Sequence, residues 1–333
     1  MTHAIRIHAH GGPEVMRWEE VPLPEPGPGE ARVRHEAVGL NYIDVYYRTG
    51  LYKSPAMPAT LGMEGAGVVT AIGAGVSHLV VGDRVAYASG PIGAYATERS
   101  IAADRLVKLP DGIDFRTAAA MMLQGMTAQY LLRRTYVVKP GDTIVVHAAA
   151  GGVGLIMCQW GKHLGARVIG VVSTKAKADL ARAHGAAEVV IGYERLPEEV
   201  KRITGGAMVP VVYDSIGKDS FMASLDCLAP LGLMVSYGNA SGPVGPIDVG
   251  MLGAKGSLYL TRPSLATYTA KHADLERSAH DLFEVVQSGA VKIMVNQTFP
   301  LREAEAAHRA LEARQTTGST VLLPREKRAF LAK

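Results

Sequence analysis

The sequence predicts an α/β protein of two domains, a small partly closed β-barrel and a doubly wound domain with a parallel sheet. Three observations predict it. Residues 1–113 run in short alternating apolar and polar stretches bounded by Gly and Pro. From residue 143, buried apolar runs alternate with helix patterns. The turn HAAAGGVG, residues 147–154, joins the first such run to the first helix.

Taken in order, AIRIHAH (4–10) alternates as a half-buried strand does, and VPLPEPGPGE (21–30) is a proline-rich connection. ARVRHEAVGLN (31–41) alternates again, GMEGAGVVTAIGAGV (62–76) reads as a glycine-punctuated strand pair, and LVVGDRVAYA (79–88) follows with a Gly82-Asp83 turn. Short strands at this spacing suggest a barrel. DFRTAAAMMLQGMTAQYLLRRT (114–135) is rich in helix formers and reads as one helix. TIVVHAA, ARVIGVVS, AEVVIGY, VPVVYDSIG and GLMVSYGN are then strands; GLIMCQWGKHLG, KAKADLARAHG, LPEEVKRITGG and DSFMASLDCLAPLG are the helices between them. After about residue 257 one long helix pattern, 272–289, a shorter one and a last strand, STVLLP, complete the first domain. The charged tail PREKRAFLAK is expected to fray.

Composition narrows the function. The chain has 333 residues, enough for two cores. Its 37 Gly and 18 Pro are dispersed, which excludes low-complexity architectures. A net charge of +4, from 35 basic and 31 acidic residues, is too mild to argue for nucleic acid or a membrane surface but suits an anionic ligand. The two cysteines, Cys158 and Cys227, read as small buried apolar residues. MTHAIRIHAHGG reads as a strand and turn rather than a secretory segment, and no apolar run approaches the roughly 18 residues of a membrane span, so a cytoplasmic protein is expected.

The glycine-rich turn puts Ala149, Gly151 and Gly154 on the three slots of a dinucleotide fingerprint. The second slot needs backbone close to a pyrophosphate and the third needs close helix–strand packing. Amides of 151–154 would then face the phosphates from a helix N-terminus. The competing possibility is a glycine-rich turn with no ligand; its place between a buried strand and a βαβ series favours the nucleotide. In NAD-binding units a carboxylate ends the second strand and holds the ribose hydroxyls. Here that strand ends in Ser173-Thr174-Lys175, with Lys177 beyond. Hydroxyls and lysines suit a 2′-phosphate, which a carboxylate would repel, so NADPH fits better than NADH. Each lysine alone reads equally as part of a solvated helix face.

The stretches NYIDVYYRTGLY, GMEGAGVV, VGDRVAY, HAAAGGVGL, VVYDSIG, GLMVSYGNASG and LYLTRPSL carry a resemblance that spans essentially the whole chain. The sequence resembles the zinc-free, zeta-crystallin-like quinone oxidoreductase branch of the medium-chain dehydrogenase/reductase superfamily. The resemblance implies a GroES-like domain of about 1–125 and 260–333, a Rossmann domain of about 126–259 inserted in it, and NADPH in the cleft between them. It implies that Lys177, Tyr193 and Arg314 hold the 2′-phosphate and that Asn41 and Tyr46 lie near the nicotinamide. Tyr237, Gly238 and Asn239 match the strand end over which ring and ribose pass. The residues assigned to the cofactor are Asn41, Thr127, Ala150, Gly151, Gly152, Val153, Ser173, Lys177, Tyr193, Ser215, Tyr237, Asn239 and Arg314. It further implies a homodimer paired through the strand near GSLYLT, 256–261.

Alcohol dehydrogenases of this superfamily carry a zinc-ligating Cys near 39–41 and Gly-His-Glu near 62–64. This chain has Gly39-Leu40-Asn41 and Gly62-Met63-Glu64, and no cysteine stands near either place, so no metal is expected. Glu64 is expected to be buried and paired with a cation. Without a Lewis acid the acceptor must already be electron-poor, as quinones and conjugated enones are. The expected chemistry is hydride transfer from NADPH to a quinone, with one-electron transfer left open. Asn41, Tyr46, Tyr52 and Arg262 are the candidates for the acceptor site, Arg262 as an oxyanion stabiliser. Tyr52 and Thr127 read equally as packing residues. An NADPH-dependent enoyl or alkenal reductase is the nearest alternative. A non-catalytic nucleotide- or AU-rich-RNA-binding protein is the alternative of another class, for which the sequence offers no arginine-rich stretch.

Overall fold

A computed structural model describes residues 1–54 and 56–324; the tail expected to fray lies, beyond Pro324, outside the described residues. The strands are β1 Thr2–Ile7, β2 Met16–Val21, β3 Glu30–Leu40, β4 Ala59–Thr60, β5 Glu64–Ile72, β6 Arg84–Ala88, β7 Glu98–Ala102, β8 Val107–Lys108, β9 Thr143–His147, β10 Arg167–Val172, β11 Glu188–Ile191, β12 Val209–Asp214, β13 Leu228–Ser236, β14 Tyr259–Thr261, β15 Val295–Pro300 and β16 Ser319–Leu323. The α-helices are α1 Tyr42–Thr49, α2 Phe115–Ala119, α3 Met122–Tyr130, α4 Gly152–His163, α5 Lys175–Ala183, α6 Leu196–Ile203, α7 Phe221–Asp226, α8 Gly250–Ala254, α9 Leu265–Tyr268, α10 His272–Gln287 and α11 Ala304–Glu312. The fold class is α/β, as the sequence predicts.

The chain forms two compact units. The first comprises Met1–Leu123, Lys271–Ala279 and the chain from Ile293 on; the second comprises Gln124–Ala270 and His280–Lys292. In the first unit, β15-β16-β3-β5-β6-β8 form a sheet with β7 added to β3, and β2-β1-β4 form a smaller one. β3 alternates buried and half-buried residues along most of its length, the pattern of a strand with one face on a core. That core gathers Val33, Leu61, Val69, Val85, Tyr95 and Leu322. Both chain ends contribute to it, since β16 pairs antiparallel with β3.

The second unit has one six-stranded sheet in the order β11-β10-β9-β12-β13-β14, with every pairing parallel. Val145, Ile169, Val212 and Met234 are buried in it, which is why these strands read as apolar runs. The strand order reverses at β9, so the carboxyl ends of β9 and β12 mark the switch point where such sheets bind ligands.

Three sequence expectations change. The helix expected over 114–135 is broken into α2, α3 and a π-helical turn, Leu131–Thr135. The break is satisfied from outside: the Ser319 hydroxyl donates to the Ala120 carbonyl, and Glu64 accepts the N–H of Leu123. The helix expected over 219–232 stops at Asp226, and β13 begins at Leu228. Pro230 has no N–H to offer a helix and disfavours helical geometry at Ala229. The strand pair expected over 62–76 is the single strand β5.

Candidate functional site

In the second unit the phosphate-type turn is built almost wholly from backbone. β9 ends at His147, and the left-handed conformation falls on Ala148 (φ 49°), one residue before the first fingerprint slot. Ala149 N–H donates to the Val171 carbonyl at 3.1 Å and Gly151 N–H to the Ala148 carbonyl at 2.8 Å. Gly151 is the N-cap of α4 and has no side chain to cap it, so the first-turn amides face outward. The glycines answer to different constraints. A Cβ at Gly154 would overlap the Ala148 carbonyl, and one at Gly152 would overlap the Gln124 side chain. At Gly151 a Cβ would meet only the Ala148 carbonyl, at 3.2 Å. That contact is tight but the mildest of the three, so packing alone restricts this slot least, and it suits a ligand that needs the backbone bare. The turn therefore fits a nucleotide pyrophosphate, with Ala150, Gly152 and Val153 beside Gly151.

At the end of β10, Ser173 is exposed and Lys177 partly so, with no carboxylate between them. Thr174 serves the helix instead: its hydroxyl accepts the N–H of Lys177 as the N-cap of α5. Tyr193, half-buried, packs its ring 5.7 Å from that of His147.

Beneath the turn lies a buried polar cluster that sequence reasoning missed. The Ser224 hydroxyl lies 2.9 Å from His147 Nε2 and donates to Asp214 Oδ2 at 2.7 Å. Ser220 and the N–H groups of Ile216 and Gly217 also donate to Asp214. Burial works against the Asp214 carboxylate, but His147 and these donors outweigh it and hold it below its usual range. Burial also lowers His147, against the pull of Asp214. The cluster fixes the end of β12, and with it Ser215, whose carbonyl accepts the N–H of Ala240. Its only sequence signal is the Asp that interrupts the apolar run VPVVYDS.

The end of β13 is latched alongside. Tyr237 N–H donates to the Asp214 carbonyl at 2.8 Å. Arg262 donates from Nη1 to the Ser236 carbonyl at 2.8 Å and, with the Asn239 amide oxygen turned toward it, from Nη2 to Asn239 at 3.0 Å. Thr127 is buried on α3 and hydrogen-bonds Tyr130, whose ring stacks 4.4 Å from Tyr268. Thr127, Tyr237, Asn239 and Arg262 thus belong to the second unit, with the phosphate-type turn.

Asn41, Tyr46, Tyr52 and Arg314 belong to the first unit. Asn41 is the N-cap of α1 and forms a capping box: its side-chain oxygen accepts the Asp44 N–H, and its own N–H donates to Asp44 Oδ2 at 2.9 Å. Its Nδ2 donates to Glu64 Oε2 at 2.7 Å. Tyr46 is buried, with its ring 5.2 Å from Tyr52 and 6.0 Å from Tyr42; Tyr47 packs edge-on against Tyr52 at 5.8 Å. Tyr42 and Tyr47 were not among the candidates, although the Tyr42–Tyr46 spacing of one helical turn signals the pair. Arg314 is exposed on the loop after α11 with left-handed backbone, φ 58°.

Glu64 corrects an expectation. Its partners among the described residues are amides, not a cation: Asn41 Nδ2 on one oxygen, and the N–H of Leu123 at 2.8 Å on the other. Amides at the start of α3 take the place of an arginine because a helix N-terminus already carries partial positive charge. Burial pushes Glu64 up to about 8 despite these donors, and burial pushes Asp44 up to about 7. A second chain leads away from Asp44. Tyr95 Oη donates to Asp44 Oδ2 at 3.0 Å and lies 3.0 Å from His308 Nε2, while Arg48 Nη1 lies 3.2 Å from His308 Nδ1. Arg48 donates to both oxygens of Glu312, at 2.9 and 2.7 Å. The donors align in one direction, from Arg48 to His308 to Tyr95 to Asp44, if His308 is neutral with its proton on Nε2. Burial and then Arg48 hold His308 neutral, lowering it to about 3.

At the two places where zinc enzymes of the superfamily carry Cys and His, Asn41 and Met63 offer no zinc-ligating thiolate or imidazole. Among the described residues the group with metal-ligand geometry is His280, Asp281 and Glu284, on α10, and Asp281 there accepts from Gln129.

Two family models match the chain, one described as the alcohol dehydrogenase GroES-like domain over residues 27–111 and one as zinc-binding dehydrogenase over residues 152–276. The chain is 54% identical over 325 residues to a quinone oxidoreductase of Pseudomonas aeruginosa, covering 97% of this chain and 100% of that one. It is 47% identical over 331 residues to the 2-haloacrylate reductase of a Burkholderia species, covering 97% and 99%. The Escherichia coli quinone oxidoreductase crystallised with NADPH superposes with a TM-score of 0.95, at 48% identity over 97% of this chain and 100% of that one.

Proposed function

This chain belongs to the quinone oxidoreductase family of the medium-chain dehydrogenases/reductases, and from that premise we propose that it is an NADPH-dependent quinone reductase working without a metal. The observation that carries the reading is the pairing of a bare phosphate turn at Gly151 with a β10 end that offers Ser173 and Lys177 where NAD enzymes place a carboxylate. The Escherichia coli relative crystallised with NADPH supports the cofactor. NADPH supplies the hydride. The chain's part is to bind and orient. Amides of Gly151, Gly152 and Val153 take the pyrophosphate, Lys177 and Tyr193 the 2′-phosphate, and Ser215, Tyr237 and Asn239 the nicotinamide half. Arg262 keeps Asn239 and the end of β13 in place. Asn41 donates to the acceptor's carbonyl oxygen, and the Tyr46 and Tyr52 rings line its planar face.

A second reading, reduction of an activated alkene such as a 2-haloacrylate, is favoured by the Burkholderia relative. Initial rates with NADPH against 1,4-benzoquinone, 9,10-phenanthrenequinone, 2-chloroacrylate and a 2-alkenal separate the two. We expect the quinones to turn over; turnover of the alkenes alone would replace the first reading by the second.

The same reading includes a homodimer. β14 is the edge of the six-stranded sheet, and its Tyr259 is 61% exposed. A cytoplasmic setting agrees with Cys158 and Cys227, both unpaired thiols that burial pushes up to about 12. Among the described residues no helix is long and apolar enough to cross a membrane.

A further inference from the structure

Asn41 is held at three points, and they fix which way its amide faces. The Asp44 N–H donates to the Asn41 backbone carbonyl at 3.0 Å, the capping box turns the Asn41 side-chain oxygen toward that N–H, and the Asn41 N–H donates to the Asp44 carboxyl. The amide nitrogen must therefore face Glu64, where it donates at 2.7 Å. Glu64 is itself buried and held at both oxygens. Its other oxygen takes the Leu123 N–H, and a Cβ at Gly39 would overlap both Glu64 Oε2 and the Ala119 carbonyl, so the carboxyl lies flush against the backbone of β3. The position faces donors on both sides, Leu123 N–H and Asn41 Nδ2. Above about pH 8, where Glu64 is ionised, it accepts with both oxygens; a glutamine of the same shape would present an NH2 to one of those donors.

We propose that Glu64 is a positioning residue for Asn41: wedged between the first-turn amide of α3 and the Asn41 side chain, its carboxyl selects the one amide orientation in which Asn41 serves the acceptor. This rests on the reading of Asn41 as an acceptor-binding donor. A glutamine at 64 forces a choice. Either its NH2 opposes the Leu123 N–H, or Asn41 turns over and its capping box with Asp44 breaks. A buried donor left opposite a donor costs about 1–3 kcal/mol, enough to turn a side-chain amide.

Four variants, assayed near pH 9, above the value of about 8 to which Glu64 is raised, with 1,4-benzoquinone and NADPH and melted with and without NADPH, decide it. Asn41→Ala tests the underlying reading: kcat should fall about 100-fold, as for loss of one transition-state donor. Glu64→Gln should lower kcat by about 10-fold or more, as a misplaced catalytic group does, with KM for NADPH unchanged. Asn41→Asp sets two carboxyls face to face and should lower Tm. The exchange Asn41→Asp with Glu64→Gln restores a carboxyl–amide pair in reversed order. It should recover Tm but not kcat, because aspartate has no N–H to give the acceptor. If Glu64→Gln does not fold, Glu64→Asp, which keeps Asn41 and the carboxyl but draws it back from the Asn41 amide, takes its place with the same expected split between kcat and KM. Full kcat in Asn41→Ala would overturn the acceptor-site reading and the inference with it. Loss in Asn41→Ala with full kcat in Glu64→Gln would overturn the inference alone. Recovery of kcat in the exchanged pair, where position 41 has no amide N–H, would overturn the acceptor-site reading and the inference with it.

Discussion

The nucleotide-type turn of the second unit and the Asn41 surroundings of the first each hold still a group proposed to bind ligand, by opposite means. The turn uses backbone. Its shape follows from Ala148 in left-handed geometry, from a glycine at 154 pressed against backbone, from Gly152 against the Gln124 side chain, and from a bare Gly151. The Asn41 site uses side chains buried in series, Glu64 on one flank and Asp44, Tyr95, His308, Arg48 and Glu312 on the other. A backbone site is local, rigid and insensitive to protonation. A side-chain site is assembled from distant segments and hangs on the ionisation of its members.

The comparison breaks most readily at Gly154. Gly154→Ala drives a methyl into the Ala148 carbonyl, and overpacking of this kind costs about 1–3 kcal/mol. Calorimetric titration should show NADPH affinity reduced more than tenfold, with Tm lowered; unchanged affinity would mean the turn does not shape the site. On the other side, Arg48 is 1% exposed by side chain and its partner Glu312 33%, so truncating Arg48 costs at most about 3–5 kcal/mol, the figure for a fully buried pair. Arg48→Met should therefore lower the first unit's stability by up to that amount in a urea melt while leaving NADPH affinity nearly intact. Lys177→Ala sharpens the local side. Loss of one charge-assisted bond, about 1.5–3 kcal/mol, should raise KM for NADPH by about 10-fold or more and leave KM for NADH alone. Lys175→Ala, on an exposed helix face, should change neither by more than about twofold.

Acidity separates the two regions more gently. Asp44 and Glu64 are raised in the fold, to about 7 and about 8, so their contribution to stability is complete below their ordinary range and lost as pH rises through those values. His308 and His35 are lowered, to about 3 and about 4, so their contribution is complete above pH 6.5 and lost as pH falls through those values. Asp44→Asn should flatten the loss of Tm between about pH 4 and 7. An unchanged slope would show that Asp44 does not titrate in that window.

The same contrast explains what the sequence made legible. HAAAGGVG, the βαβ series and the absence of an acid after VIGVV are local signals, and the turn, the parallel sheet, the exposed Ser173 and the half-buried Lys177 are where those signals put them. Asn41, Tyr46 and Tyr52 were named from NYIDVYYRTGLY, yet what holds Asn41 was not. Glu64 lies 23 residues away and was given a cation it does not have; His308 lies 213 residues from Tyr95, and Glu312 lies 264 from Arg48. No periodicity encodes such pairings. The break between α2 and α3 escaped for the same reason, because the groups that satisfy it, Glu64 and Ser319, come from distant strands.

The account turns on hydride passing from NADPH to a quinone, and a single turnover measures that directly. Enzyme saturated with NADPH is mixed with 1,4-benzoquinone in a stopped-flow instrument, and the reduced-nicotinamide absorbance is followed, with NADH and C4-deuterated NADPH as the other arms. The account predicts a stoichiometric loss of absorbance that is faster with NADPH than with NADH and slowed by deuterium. Persistence of the NADPH absorbance in the presence of quinone would contradict it.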